Sequence, residues 1–236
     1  MRKLFDKLYS KSEESFYKML AKNLKENKKM FIVTANPETF MISENDDEMK
    51  ELLLDKNTTL VPDGIGIVKA ARMINYNVTE RIAGIDIANK LLELGNKEKK
   101  SIYLFGSKQE VIDSMNKVLK EKYPNLVLAG ATNGYEKDKD KVFDKIAKTK
   151  PDIILVALGI PLQEKLIYKH LNEFDKGIFV GVGGSFDVIS GHKKRAPKIF
   201  IKLNLEWLYR ILKEPKRLKR FYDSNVKFLF KVKKYR

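Results

Sequence analysis

Six short apolar runs recur along the chain, and segments with the periodicity of amphipathic helices, such as residues 12–29 and 38–54, lie between them. The apolar runs occupy residues 30–34, 59–61, 101–107, 126–129, 152–159 and 177–184. They are mostly apolar throughout, without the polar alternation of a half-exposed strand, which is typical of strands buried on both faces. Such strands alternating with helices predict an α/β fold, Rossmann-like, with a largely parallel sheet and helices on both faces.

The loops that follow the apolar runs are the candidate site, because ligands of parallel α/β sheets bind at the carboxyl ends of the strands. None of these loops matches the G-x-G-x-x-G or G-x-x-x-x-G-K-[ST] phosphate-binding motifs. Gly181, Gly183 and Gly184 form a G-x-G-G turn, but Ser-Phe-Asp follows instead of a helix that opens at a third glycine. The sequence therefore argues against a dinucleotide-dependent enzyme.

Positive charge is concentrated at the C-terminal end of the chain. Residues 192–236 hold 16 Lys and Arg against three acidic residues, which is +13 of the formal net charge of +16. This difference predicts two parts, an α/β catalytic core in residues 1–191 and a helical, basic, amphipathic C-terminal appendage in residues 192–236. The appendage carries the only tryptophan, Trp207.

Basic amphipathic helices with aromatic residues are typical of helices that lie in a membrane interface, and each basic residue there contributes about 1 kcal/mol near anionic lipid. A nucleic-acid surface is also basic, but no known nucleic-acid module is present in the sequence. For residues 199–212 an ordinary core helix with solvated lysines stays an alternative, which residues 216–236 favour less. We therefore predict an anionic membrane surface as partner, and no nucleic acid.

Composition and segment length predict a cytoplasmic protein. The chain has no cysteine, which excludes disulfides, cysteine metal sites and a cysteine nucleophile and fits a reducing compartment. No apolar run approaches the roughly 18 residues of a membrane span, and residues 1–16 contain acids and no apolar core of a signal peptide. The expectation is a cytoplasmic protein, peripheral on the inner face of the cell membrane.

Two polar groups follow the second apolar run. Asp63, between Pro62 and Gly64, is either a turn aspartate that caps the next helix or a catalytic carboxylate whose pKa is raised by its pocket. Arg81 is able to pair with Asp86 or with a substrate phosphate. The residue pattern alone leaves these alternatives open.

The sequence predicts no metal site. Asp138 and Asp140 have the D-x-D spacing of many nucleotide-sugar enzymes, but lysines flank them at the start of a predicted helix, which favours a solvated helix face. His170 and His192 are far apart and lack the spacing of metal ligands.

Six motifs in a fixed order resemble the WecG/TagA/CpsF glycosyltransferases. They are LVPDGIGIVKAAR, RIAGID, LFGS, ALGIPLQEKLI, GVGGSFDVISGHKKRAP and LEWLYRILKEPKRLKR, and the resemblance covers residues 30–220. It implies an inverting, metal-independent enzyme that transfers a sugar from a UDP-sugar to polyprenyl-diphosphate-linked GlcNAc. With UDP-N-acetylmannosamine (UDP-ManNAc) as donor, this is an early step of wall teichoic acid synthesis. UDP-mannosaminuronic acid and UDP-glucose stay alternative donors, and a non-enzymatic binder of anionic lipid or nucleic acid is the alternative of another class.

The resemblance also implies a role for individual residues. Asp63 becomes the general base that deprotonates the acceptor hydroxyl. The implied substrate-binding residues are Thr34, Asn36, Arg81, Gln163, Glu164, Arg210, Arg217 and Arg220. Arg217 and Arg220 lie one helical turn apart, so we expect them to grip the diphosphate together. We further expect the appendage to complete the active site only at the membrane, and a homo-oligomer is an open prediction.

Overall fold

A computed structural model describes residues 1–235 and confirms the α/β fold. Its six strands form one sheet, and every neighbouring pair in that sheet is parallel. The strands are β1 (Lys29–Ala35), β2 (Thr58–Pro62), β3 (Ser101–Gly106), β4 (Val127–Thr132), β5 (Ile153–Ala157) and β6 (Gly177–Gly181). Their order is β2-β1-β6-β5-β3-β4, so the carboxyl ends of β2, β1, β6 and β5 lie side by side.

Helices connect the strands and continue beyond the last one. Within residues 1–235 they are α1 (Arg2–Lys7), α2 (Glu13–Lys25), α3 (Pro37–Ser43), α4 (Asp47–Leu54), α5 (Ile65–Met73), α6 (Gly84–Lys97), α7 (Gln109–Lys122), α8 (Lys139–Thr149), α9 (Leu162–His170), α10 (Ser185–Ile189), α11 (Lys198–Lys202), α12 (Glu206–Lys213), α13 (Arg217–Phe221) and α14 (Lys227–Lys233). A π-helical turn, Tyr222–Val226, joins α13 to α14. No helix in this part of the chain is long and apolar enough to cross a membrane.

The two faces of the sheet pack into two hydrophobic clusters. Strand β5 is buried along its whole length; Ile154 and Val156 belong to one cluster, whereas Ile153 and Leu155 belong to the other. Successive side chains of a strand point to opposite faces, so a continuously apolar strand serves both layers of helices. This arrangement explains why the strands lack polar alternation.

The predicted helix at residues 38–54 is divided into α3 and α4. Asn36 caps α3 by accepting a hydrogen bond from the backbone N–H of Thr39, whose side chain in turn accepts from the Asn36 backbone. Asp46 caps α4 by accepting from the Met49 backbone N–H. Two separate N-caps in this short segment satisfy two sets of free N–H groups, and they therefore define two helices.

The end of the basic C-terminal segment is part of the hydrophobic core. Phe228 and Val232 of α14 are fully buried, and the Phe228 ring lies 6.3 Å from that of Phe5 in α1 and 5.6 Å from that of Phe40 in α3. The core-helix alternative, which the sequence favours less for residues 216–236, therefore holds for these two side chains. The predicted boundary at residue 191 stays a prediction.

Replacing Phe228 with Ala should lower the free energy of unfolding by about 3–5 kcal/mol, because it leaves a cavity between α1, α3 and α14. Phe230→Ala is the matched control on the same helix, since Phe230 is 66% exposed; we expect a change of less than about 0.5 kcal/mol. Chemical denaturation of both variants measures the difference. Equal effects would show that α14 does not contribute to the core.

Candidate active site

Strands β1 and β2 bring two candidate residues to the same edge of the sheet. Thr34 pairs with Val61 in the parallel register, and the Asp63 backbone N–H continues the ladder by donating to the Ala35 carbonyl at 2.8 Å. Asp63 therefore leaves β2 beside the end of β1, where Thr34 and Asn36 lie. Thr34 also contacts α6, because a Cβ atom added to Gly84 would lie 3.3 Å from its side-chain methyl.

Asp63 as a residue is partly exposed, but protein atoms enclose its carboxyl group. Its Oδ2 accepts a hydrogen bond from the Gly84 backbone N–H at 3.4 Å, the first residue of α6. Burial raises the pKa of Asp63 above its ordinary value; the positive charges of Arg210 and Arg81 oppose this rise, and the negative charge of Glu206 adds to it. A carboxylate with a raised pKa and cationic neighbours is suited to accept a proton.

A chain of ion pairs attaches the C-terminal segment to the core next to Asp63. Glu206, the first residue of α12 and only 7% exposed, binds Arg81 at 2.6 Å and lies 3.5 Å from the Nε of Arg195. Arg195 in turn binds both carboxylate oxygens of Asp86, at 2.6 and 2.8 Å. Arg81 thus pairs with Glu206, and Asp86, the pairing alternative drawn from the sequence, pairs with Arg195.

Gln163 and Glu164 are buried, at 4% and 3% exposure. The Gln163 side-chain oxygen accepts from the backbone N–H groups of Gly159 and Gly183, each at 3.1 Å. Its amide donates to Glu164 at 2.8 Å. Gln163 therefore ties the loop after β5 to the loop after β6, and direct substrate contact by this pair stays a prediction.

Glu164 is a buried carboxyl with an incomplete set of partners. One oxygen accepts from Gln163, and the other has no hydrogen-bond partner among residues 1–235. Burial raises the pKa of Glu164, and the nearby charge of Glu38 raises it further. Both effects favour the neutral form of this carboxyl group.

The arginines of the C-terminal segment hold carboxylates in this structure. Arg220 makes two hydrogen bonds to Glu38, at 2.9 and 3.0 Å, and so lies at the start of α3 close to Asn36. Arg217 binds Glu214 at 2.7 Å on its own segment. Arg210 is exposed and acts electrostatically on Asp63. A joint grip of Arg217 and Arg220 on one anion stays a prediction.

The D-x-D pair has a structural role in the described chain. Asp138 caps α8 by accepting from the Lys141 backbone N–H, and Asp140 binds Lys169 at 2.8 Å and His170 at 2.7 Å. Across residues 1–235 the structure shows no group of three or more His, Asp or Glu side chains that could hold a metal ion.

Sequence reasoning missed three residues of the site, Arg195, Glu206 and Glu38. The first two lie inside the motifs that carried the family resemblance, in RAP and LEW. A charged residue enclosed by apolar ones, as Glu206 is by Leu205 and Trp207, was the available signal. Its partner Arg81 could not be read from the sequence, because it lies more than a hundred residues away.

Comparisons with known proteins identify relatives of this chain. The model of the "Glycosyl transferase WecG/TagA/CpsF family" matches residues 4–236. A Bacillus subtilis protein, "N-acetylglucosaminyldiphosphoundecaprenol N-acetyl-beta-D-mannosaminyltransferase", is 44% identical over 80% of this chain and 73% of its own length. Proteins of the same name from Bacillus spizizenii (42% identical, 84% of this chain and 76% of the relative) and Staphylococcus aureus (36%, 87% and 80%) are also similar.

Replacing Glu164 with Gln should remove a pH dependence of stability. Because its pKa is raised on folding, Glu164 stabilises the wild type below its unfolded pKa near 4.5, and this contribution is lost as pH rises toward the folded pKa. The variant should therefore gain on the wild type with rising pH, by at most about 1.4 kcal/mol per pH unit. Denaturation between pH 4 and about pH 8 measures this, with the exposed Glu121→Gln as control. Parallel curves for Glu164→Gln and wild type would contradict a raised pKa.

Proposed function

Because the chain belongs to the WecG/TagA/CpsF glycosyltransferase family, we propose that it moves N-acetylmannosamine from UDP-ManNAc to the 4-hydroxyl of GlcNAc on undecaprenyl diphosphate. The names of the relatives support this acceptor and this sugar. The transfer would be an early step in making the wall teichoic acid linkage unit. One observation carries the catalytic part of the proposal: Asp63, with its raised pKa, lies at the carboxyl edge of the sheet beside Arg81 and Arg210.

Asp63 acts as the general base in this proposal. The acceptor oxygen attacks the anomeric carbon of the donor while the bond from that carbon to the UDP oxygen breaks, and Asp63 takes the hydroxyl proton. Attack from the face opposite UDP inverts the α-linked donor sugar to a β-linked product, which fits the "beta" in the names of the relatives. A raised pKa makes the Asp63 carboxylate a stronger proton acceptor.

Arginines of the C-terminal segment stabilise the departing UDP. The leaving diphosphate carries negative charge that a divalent cation or basic side chains must balance. Arg210 already acts electrostatically on Asp63. Arg220 lies at the start of α3, the helix that follows β1 at the edge of the sheet. Arg217 and Arg220 would exchange their carboxylate partners for the diphosphate, since a guanidinium binds phosphate oxygens in the same bidentate way. We therefore propose transfer without a metal cofactor.

Thr34 and Asn36 line the donor sugar site in this proposal. Both are partly exposed at the end of β1, on the strand next to the one that leads to Asp63. The Asn36 side-chain oxygen is engaged in the cap of α3, which leaves its amide N–H groups for the sugar. Gln163 would position the two loops that it ties together, and Glu164 would hold the Gln163 amide.

The C-terminal segment also supports a peripheral position on the inner face of the membrane. Large apolar side chains are exposed there among the lysines and arginines, namely Ile199, Leu203, Leu212, Leu218, Tyr222 and Phe230. Trp207 is 37% exposed and stacks on Phe221 at 4.5 Å. Apolar side chains inside a basic surface suit a bilayer with anionic headgroups, where the lipid-linked acceptor is located.

A donor panel tests the proposed function. Wild-type protein should release UDP from UDP-ManNAc when the GlcNAc-diphosphate-lipid acceptor is presented in anionic vesicles, and EDTA should not abolish the reaction. UDP-mannosaminuronic acid and UDP-glucose are the comparison donors, and a preference for either would replace the donor proposed here. No turnover with any donor would favour a non-enzymatic binder.

Asp63→Asn should lower kcat by roughly 10²–10⁴-fold, because the amide cannot accept the hydroxyl proton. The amide keeps the size of the side chain, so calorimetry should show UDP binding close to that of the wild type. Asp138→Asn, at the exposed start of α8, is the control and should keep full turnover. Normal turnover of Asp63→Asn would assign the base to another residue.

A further inference from the structure

Glu206 is buried, and it faces one arginine of the core and one arginine of its own C-terminal segment. It is 7% exposed, and its two carboxylate oxygens face two different arginines: Oε2 lies 2.6 Å from Arg81, and Oε1 lies 3.5 Å from Arg195. Arg81 belongs to the loop before α6, and Arg195 to the loop before α11. Removing either partner would leave a buried charge that is incompletely compensated.

Arg81 acts on two carboxylates but forms an ion pair with only one. Its guanidinium binds Glu206, and it acts on Asp63 electrostatically without an ion pair among residues 1–235. Asp86 is not free to bind Arg81, because both of its oxygens are held by Arg195. If Glu206 were neutral, Asp63 would be the anion within the electrostatic reach of Arg81.

We propose that Glu206 is a positioning residue of this enzyme: it holds Arg81 off Asp63, so that the Asp63 carboxylate stays free for the acceptor hydroxyl. The inference rests on the proposed function, in which Asp63 is the base. A direct Arg81–Asp63 ion pair would block the carboxylate and make it a weaker proton acceptor. Glu206 prevents that pair by offering Arg81 a nearer, buried partner.

Glu206 also sets the position of α12. It is the first residue of that helix, and Arg210 follows it by four positions, which places the two side chains on the same face about one turn apart. The charged groups that face Asp63 are thus Arg81 from the core and Glu206 and Arg210 from α12. Anchoring Glu206 fixes Arg210 beside Asp63, so one carboxylate positions both cations of the site.

The test compares Glu206→Gln with Glu44→Gln. Glu44 binds Lys231 at 2.6 Å and so also joins the C-terminal segment to the core, but at the far end of α3 from the proposed sugar site. Glu206→Gln should lower kcat by roughly ten- to a hundredfold, the scale that a small misplacement of reacting groups produces. The donor KM should change less than kcat, because Glu206 itself makes no substrate contact in this proposal.

The pH profile separates positioning from a general structural effect. Without the Glu206 charge, and with Arg81 drawn to Asp63, the acid limb of the kcat profile should move to lower pH in Glu206→Gln and stay in place in Glu44→Gln. Glu206→Asp keeps the charge, so it should retain the wild-type limb; it is the variant to measure if Glu206→Gln is unstable. Thermal unfolding of each variant reports loss of stability independently.

A direct titration of Asp63 gives a readout that does not depend on the substrate. Carbon-13 NMR of labelled aspartate, assigned with Asp63→Asn, should show the Asp63 carboxyl titrating at lower pH in Glu206→Gln than in wild type. A kcat within twofold of wild type, or an unmoved Asp63 titration, would overturn the proposal. If the wild type turns over no donor, the proposed function fails while this titration still decides whether Glu206 controls Asp63.

Discussion

The buried carboxylate of Glu206 is the contact on which the rest of the site depends. A buried carboxylate is costly unless cations compensate it, and Arg81 provides one cation from the core and Arg195 one from the C-terminal segment. Because these arginines belong to different parts of the chain, satisfying Glu206 requires that the C-terminal segment be docked on the core. The same requirement places Arg210 near Asp63.

This docking gives the candidate site two halves with different physical characters. The sheet provides a rigid half: Asp63 continues the hydrogen-bond ladder of β2, and Gln163 ties together the loops that follow β5 and β6. The C-terminal segment provides the cationic half, held to the core by ion pairs at its start and by Phe228 at its end. Between these anchors, Arg217 and Arg220 hold carboxylates that an incoming diphosphate would be able to replace.

The features that the sequence predicted correctly are those encoded in neighbouring residues. The six strands were readable because a strand buried on both faces is apolar throughout, and the loops at their carboxyl ends follow from that pattern. The family was readable because its motifs occur in a fixed order. The two N-caps that divide residues 38–54 and the burial of Phe228 were not predicted, because helical periodicity alone shows neither where a helix is interrupted nor which of two apolar faces is covered.

The sequence by itself determined the parallel α/β architecture, the family and the short set of polar residues at the strand ends, since each is encoded in neighbouring residues. Only the tertiary structure decided which charges meet. The sequence left Asp86 and a substrate phosphate as alternative partners of Arg81. In the folded chain Arg81 binds Glu206 instead. Pairing between residues 125 positions apart depends on how the fold brings the start of α12 to the loop that carries Arg81. Charge complementarity without distance does not select a partner.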